Sequence, residues 1–143
     1  MHTFVALKRK TAEFFRRHWN SGAAPTDAPK WKRWKLRGRP AVHNSGGCYA
    51  VFSKRALLYV GVALTTGRST NPAKATVGLY NRLRRHVIKP VSRNSMVHVG
   101  KTQRWNAVTH IELLAFPDKY RYLAAALEAY LISELKPPEN RYT

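Results

Sequence analysis

Two short apolar runs separated by a polar gap form the most regular pattern in the chain. They are Gly47–Phe52 and Leu57–Gly61. Both are rich in β-branched and aromatic residues, and a gap of hairpin length separates them, so the pattern predicts two antiparallel strands. Side chains alternate across a strand, so Leu57, Tyr59 and Gly61 are expected on one face of the second strand. Tyr49 and Tyr59 can then meet across the pair, which on its own indicates ordinary strand packing.

The remaining regular segments are three helices and one strand. The predicted helices cover residues 3–19, 77–89 and 118–135, and the predicted strand covers 107–116. The order of elements is helix, hairpin, helix, strand, helix. This order predicts an α+β fold, in which the third strand joins the hairpin in a small three-stranded antiparallel sheet flanked by helices.

Composition shifts divide the chain into two parts. Residues 20–29 are rich in Gly, Ala, Pro and polar residues, which is typical of a linker, and a dense basic run follows them. We therefore expect an N-terminal basic helix and arm over residues 1–40, and a single domain over residues 41–143. Residues 62–76 and 91–106 show no clear period and are predicted to be loops.

The charge balance is the strongest compositional signal. The chain carries 26 Lys and Arg against 7 Asp and Glu, a net charge of +19. Such a chain favours a polyanion as partner, with nucleic acid first and an anionic membrane second. No apolar run is long enough for a membrane span or a signal peptide, so the interpretation is a cytoplasmic protein that binds nucleic acid and no membrane. The predicted phosphate contacts are Lys30, Lys32, Arg33, Lys35, Arg37, Arg39, Arg84 and Arg85.

Scarcity of acids and cysteines limits the chemistry. The single cysteine, Cys48, excludes an internal disulfide and a zinc site of the usual kind. Seven acids are too few for the converging carboxylates of a typical two-metal centre. One divalent ion could still be held.

Three residues on the predicted helices stand out. Arg82 and His86 are four residues apart and share one flank of the second helix, where a solvated basic face is the plainer interpretation. Glu128 has only apolar or small residues one turn away on either side, without a Lys or Arg. That setting favours a partly buried ligand position, although a boundary glutamate without a role is the alternative.

An ordered set of short motifs carries a family resemblance. Gly-Cys-Tyr at Gly47 is followed about ten residues later by Tyr-Val-Gly at Tyr59, a pattern that resembles the GIY-YIG nucleases. Asn81–His86 resembles the catalytic-arginine helix of that family, and Leu127-Glu128-Ala129 resembles its metal-binding helix. Asn140 resembles its closing asparagine. The resemblance covers residues 46–140 in the family's order.

The resemblance implies a metal-dependent endonuclease that hydrolyses phosphodiesters, with DNA favoured over RNA. It implies a single Mg²⁺ or Mn²⁺ on Glu128, with Arg82 clamping the phosphate oxygens. Tyr49 is implied to be the base, with its pKa lowered by Arg82 and the metal. Tyr59 is implied to hold the water or phosphate, His86 to orient groups or shuttle protons, and Asn140 to fix a loop near the metal.

Other interpretations stay open at this point. Val62 stands where the family often has a polar residue, and residues 62–76 are a longer connection than usual. A catalytically inactive nucleic-acid-binding module and a basic ribonucleoprotein component both fit the charge. Asp118, Glu134 and Lys136 spell the signature of a different nuclease family, but two of them end a helix, where that signature requires strands.

Overall fold

The structure is a computed structural model that describes residues 2–19, 27–40, 42, 45–64 and 78–140. Regular elements follow one another closely within these ranges. They are α1 (Phe4–His18), β1 (Lys32–Trp34), β2 (Gly47–Ser53), β3 (Ala56–Ala63), α2 (Leu79–His86), β4 (Ile88–Pro90), β5 (His98–Gly100), a 3₁₀ turn (Gln103–Trp105), β6 (His110–Ala115), a second 3₁₀ turn (Asp118–Tyr120) and α3 (Tyr122–Leu135).

The central sheet has four antiparallel strands in the order β1-β6-β2-β3. The predicted α+β class is confirmed, but the predicted count of three strands is wrong. The extra strand is β1, which lies within the basic arm and pairs Trp34 with Ile111 of β6. Trp34 is only 5% exposed, so a buried indole anchors this short strand. Three of the eight predicted phosphate contacts flank or belong to β1: Lys32, Arg33 and Lys35.

The two faces of the sheet carry separate hydrophobic clusters. On one face, helices α1 and α3 pack over Ala50, Phe52 and Leu114. On the opposite face, α2 packs through its buried Leu79 and Leu83 over a cluster that includes Tyr49. The alternation of β2 therefore gives Tyr49 to the α2 face.

A β-bulge corrects the predicted face of β3. The register runs Val51 opposite Tyr59 and then Phe52 opposite Leu57, so Leu58 is the extra residue. Because a shift of one residue reverses the side-chain alternation, Leu57 packs with Phe52 in the α1–α3 cluster, whereas Tyr59 packs in the α2 cluster. The prediction that Leu57 shares a face with Tyr59 is wrong for this reason.

A second sheet lies where the sequence predicted the end of the second helix and the loop after it. The predicted helix over 77–89 is too long, since α2 ends at His86 and Ile88–Pro90 is a strand. Strands β4 and β5 pair antiparallel, from Ile88 opposite Gly100 to Pro90 opposite His98. Arg37 adds an isolated bridge to Val97 beside them. The chain segment after α2 is thus tied both to that helix and to the basic arm.

Helix α1 contacts the folded body directly, since Phe14 lies against Tyr130 of α3 and Phe4 against Phe52 of β2. The boundary placed between residues 40 and 41 stays a prediction, although α1 and β1 both contact elements that follow it. None of the described helices is both long and apolar enough to cross a membrane.

Candidate active site

The Tyr49 ring fits on the α2 face because the residue opposite it on β3 has no side chain. It lies opposite Gly61 of β3 and is 2% exposed. A Cβ added at Gly61 would overlap the Cζ and the hydroxyl of Tyr49. The Tyr-Val-Gly run thus has a direct physical reason for its glycine, since any larger residue would displace the Tyr49 ring.

Tyr59 lies diagonally across from Tyr49 on the same face. The two ring centroids are 6.0 Å apart, as the hairpin pattern predicted. No pattern in the sequence indicated the other neighbours of Tyr59. The ring of Trp105 meets it edge-on at 5.4 Å, and the Arg104 guanidinium lies 5.6 Å from its centroid. Trp105 is buried, so its ring provides a fixed surface against which Tyr59 packs.

Arg82 is one turn into α2 and is exposed, whereas Leu79 and Leu83 hold the helix on the sheet. The helix begins after Gly78, whose φ of 107° is a conformation that residues with a side chain rarely adopt. The Arg82 guanidinium is close enough to affect the pKa of Tyr49, of Glu128 and of His86. One cation therefore connects residues from β2, α3 and α2.

Burial is the largest influence on the pKa of Tyr49. It raises the pKa of the phenol well above its usual value, and Tyr59 adds to the increase. Arg82 lowers the pKa, as the resemblance implied, but by less than burial raises it. In the protein alone Tyr49 is therefore protonated at neutral pH, and its hydroxyl can donate a hydrogen bond.

Glu128 is half-buried on α3, as its apolar helix neighbours predicted. Burial raises the pKa of its carboxyl, and Arg82 partly offsets the increase. The buried Cys48 thiol lies beside this turn of α3 and donates to the carbonyl of Ala124 at 3.2 Å. Glu128 also raises the pKa of that thiol, after burial itself. No described residue forms an ion pair with Glu128.

His86 has an exposed imidazole one turn after Arg82. Desolvation lowers its pKa, and the charges of Arg82, Arg85 and Lys101 lower it further. The imidazole is consequently neutral at physiological pH and can accept a proton. The positive field of α2 thus favours the neutral form of the histidine next to the arginine.

Asn140 is fixed to the edge of the sheet rather than aimed at the other site residues. Its amide accepts from the Val60 N–H and donates to the Val60 carbonyl, both at 2.9 Å. The N–H of Glu139 donates to the carbonyl of Leu58 at 2.9 Å. The turn at Pro137–Asn140 is therefore bonded to β3 on either side of Tyr59, and the role of Asn140 in fixing a loop near a metal stays a prediction.

The predicted phosphate contacts differ in whether an acidic side chain already pairs with them. Arg33 donates to the buried Glu112 carboxylate at 2.7 Å, so that cation is already engaged. The other seven have exposed side chains: Lys30, Lys32, Lys35, Arg37, Arg39, Arg84 and Arg85. Trp31 donates to the hydroxyl of Thr11 at 2.9 Å and Trp34 to the carbonyl of Arg37 at 3.0 Å. Both indoles serve packing.

A divalent ion would have one protein carboxylate here. The described residues contain no cluster of three or more His, Cys, Asp or Glu side chains suited to a metal. Mg²⁺ is commonly held by one or two carboxylates together with waters and substrate phosphates. The half-buried Glu128 carboxylate, which lacks an ion-pair partner among described residues, fits that donor set.

Comparisons with known proteins identified no similar protein. No family model matches the chain, and neither a curated protein nor a solved structure matches it. The site therefore rests on its own residues. Two tyrosines, an arginine and a neutral histidine lie on the α2 side of the sheet, and the half-buried glutamate lies on α3, within reach of the Arg82 charge.

Proposed function

We propose that this chain is a metal-dependent endonuclease that hydrolyses phosphodiester bonds in DNA through the Tyr49–Arg82–Glu128 site. The observation that carries the proposal is the position of Arg82, which acts at once on the Tyr49 phenol and on the Glu128 carboxylate. These residues come from three separate elements, so their convergence is a product of the fold. The family resemblance of the same residues supports the same chemistry.

The chain's own residues divide the work of binding a phosphate. Arg82 is exposed and carries a planar set of donors, which suits two non-bridging phosphate oxygens. Tyr49, whose phenol is protonated at neutral pH, donates a hydrogen bond from its hydroxyl to the phosphate. Both interactions strengthen as negative charge develops on the phosphate, so they favour the transition state over the substrate.

His86 is the proton acceptor that we assign. Its neutral imidazole lies one turn from Arg82, and a general base has to be unprotonated at the working pH. This assignment replaces Tyr49 as the base, because the buried phenol holds its proton. Tyr59, backed by Trp105, positions the water between the two groups.

Glu128 would hold the divalent ion, which when bound would neutralise charge on the phosphate and the leaving oxygen. The carboxylate has to be ionised for this purpose. Burial opposes ionisation, whereas Arg82 favours it, so the arginine also prepares the ligand.

A nucleic-acid-binding module without activity is the second candidate. The raised pKa values of Tyr49 and Glu128 favour it, since both groups hold their protons more tightly than usual. The net charge of +19 would serve that role equally well.

Cleavage of supercoiled plasmid by the wild-type chain separates the two candidates. We expect nicked and linear products with Mg²⁺ or Mn²⁺, and none when EDTA is added. Single-stranded DNA and duplex RNA should be run in parallel to define the substrate. Binding with no product under any metal would support the inactive module and would refute the proposed nuclease.

A further inference from the structure

The small sheet beside α2 has one buried face and one open face. We call residues 88–100 the ribbon. On its buried face are Ile88 and His98, and the His98 ring packs against Trp34 and shares a 2.8 Å hydrogen bond with the Tyr80 hydroxyl. The register pairs Lys89 with Val99, so both lie on the opposite face.

The open face is apolar at its centre. Val91 donates to the carbonyl of Val97 at 2.8 Å, which extends the pairing by one step and puts both side chains on the face of Val99. Val91 is 55%, Val97 36% and Val99 41% exposed, and Met96 at the tip is 51% exposed. No described residue covers this face. Contiguous exposed apolar groups of this kind mark an interaction surface more often than scattered ones do.

The charges around the open face select its partner. Arg37, Lys89 and Arg93 are exposed beside it. Between Asp27 and Glu112 the sequence contains no acidic residue. A second copy of the chain would bring like charges together here, whereas a polyanion would neutralise them. Charge complementarity therefore favours nucleic acid as the occupant.

The shape of the ribbon narrows the class of nucleic acid. A two-stranded antiparallel ribbon fits the major groove of B-form DNA, where apolar side chains can contact thymine methyl groups. The major groove of duplex RNA is too deep and narrow for it. A single strand offers no groove for a ribbon to enter.

The ribbon is also joined firmly to the catalytic helix. The N–H of Lys101 donates to the carbonyl of Val87 at 2.7 Å, and its ammonium group donates to the carbonyls of Arg84 and Arg85 at 3.1 and 2.8 Å. A duplex seated on the ribbon would consequently be held in a fixed relation to α2, and so to Arg82.

We infer that the open face of the ribbon, formed by Val91, Val97 and Val99, docks into a groove of duplex DNA, with Arg37, Lys89 and Arg93 on the flanking phosphates. The inference deepens the proposed function, on which it rests, by naming duplex DNA as the substrate and the ribbon as the element that positions it.

Binding without cleavage provides the test. The full chain carrying Glu128→Gln should be titrated in EDTA against fluorescently labelled duplex DNA, the same sequence as a single strand, and duplex RNA. Adding Val91→Ser, Val97→Ser and Val99→Ser should weaken duplex DNA binding by about tenfold, the scale of lost direct contacts in a groove. Single-strand binding should change by less than about twofold, since the cations stay in place.

Two further variants control for folding and for charge. Val5→Ser with Tyr122→Ser removes similarly exposed apolar groups, 66% and 68% exposed, from α1 and α3, and should leave binding unchanged. Arg37→Gln with Lys89→Gln keeps the valines and should reduce the slope of affinity against salt by about two. Should the valine variant fail to fold, this second variant still decides the question.

The contrary outcomes are distinct. Equal affinity of the valine variant and its parent for duplex DNA, or equal losses for duplex and single strand, would overturn the docking surface. Self-association of the wild-type chain that the valine changes abolish would assign the face to a second copy and would also overturn it. Tight duplex binding through the valines, with no cleavage by the wild-type chain, would refute the proposed nuclease activity and support the docking surface.

Discussion

On the α1–α3 side of the sheet, aromatic rings and paired charges close the surface, whereas the three arginines of α2 form no ion pair with a described residue. The ring centroid of Phe14 lies 5.7 Å from that of Phe15 and 5.9 Å from that of Tyr130. Lys10 then joins α1 to α3 by pairing with both Glu13 and Glu134.

The α2 side uses its charges differently. Arg82, Arg84 and Arg85 are exposed on one short helix, and only two leucines of that helix are buried. Exposed ion pairs contribute little to stability, so pairing these arginines would gain little for the fold. Left unpaired, they provide a field that attracts a polyanion. The contrast supports the proposal that nucleic acid binds on the α2 side rather than on the α1–α3 side.

Phe14→Ala should cause the largest loss of stability, because it removes a ring that is 2% exposed between two helices. We expect the free energy of unfolding to fall by about 3–5 kcal/mol, measured by urea denaturation. Val5→Ala on the same helix, at a side chain 66% exposed, should leave it unchanged. A small effect of Phe14→Ala would mean that the α1–α3 layer does not carry the fold.

Arg82→Ala should reduce activity and leave stability unchanged, the reverse of Phe14→Ala. The cleavage rate should fall by about a hundredfold, the usual result of losing a transition-state donor, while the urea midpoint stays the same. Arg85→Ala is the matched control on the same helix and should lower the rate far less. If Arg85→Ala proved the more damaging change, the site would lie on a different flank of α2.

Asn140→Ala tests the edge strand β3, which borders both faces of the sheet. It leaves the N–H and carbonyl of Val60 without their amide partner. We expect unfolding to become easier by about 1–3 kcal/mol, the range for unsatisfied buried groups. The exposed Asn106 offers a control as Asn106→Ala. Equal stability of both variants would show that the C-terminal turn is dispensable for β3.

Glu128→Gln should have the smallest effect on stability, and the size of the effect depends on pH. Burial raises the folded-state pKa of Glu128, so the folded state loses stability as pH rises from the usual value through the raised one. The glutamine variant should match wild type in acid and exceed it slightly at neutral pH, by less than about 1 kcal/mol for a half-exposed group. Urea midpoints at both pH values give the difference. A variant less stable than wild type at neutral pH would contradict the burial penalty.

Local patterns were sufficient to predict the hairpin and the helices. Apolar alternation and helical spacing determine β2, α2 and α3, because these elements are long enough to show a period. Glu128 stood out for the same reason, since its neighbours one turn away are fixed by the helix.

The features that were missed depend on distant contacts. Strand β1 has three residues, Lys32–Trp34, two of them cationic, and exists because it pairs with β6. The ribbon is equally short and contains Pro90, which weakens any strand signal. The bulge at Leu58 and the burial of Tyr49 against Gly61 arise from pairing register, which no local window contains.

Single-turnover cleavage of duplex DNA by Glu128→Gln, compared with Glu134→Gln, tests the central claim most directly. Both glutamates lie on α3, but Glu134 is exposed and pairs with Lys10, away from Arg82. With Mg²⁺ present and the duplex saturating, we expect Glu128→Gln to slow cleavage by at least about a hundredfold with little change in affinity, and Glu134→Gln to cleave at the wild-type rate. Cleavage by Glu128→Gln at near the wild-type rate would contradict the proposal that Glu128 of α3 and Arg82 of α2 form one hydrolytic site.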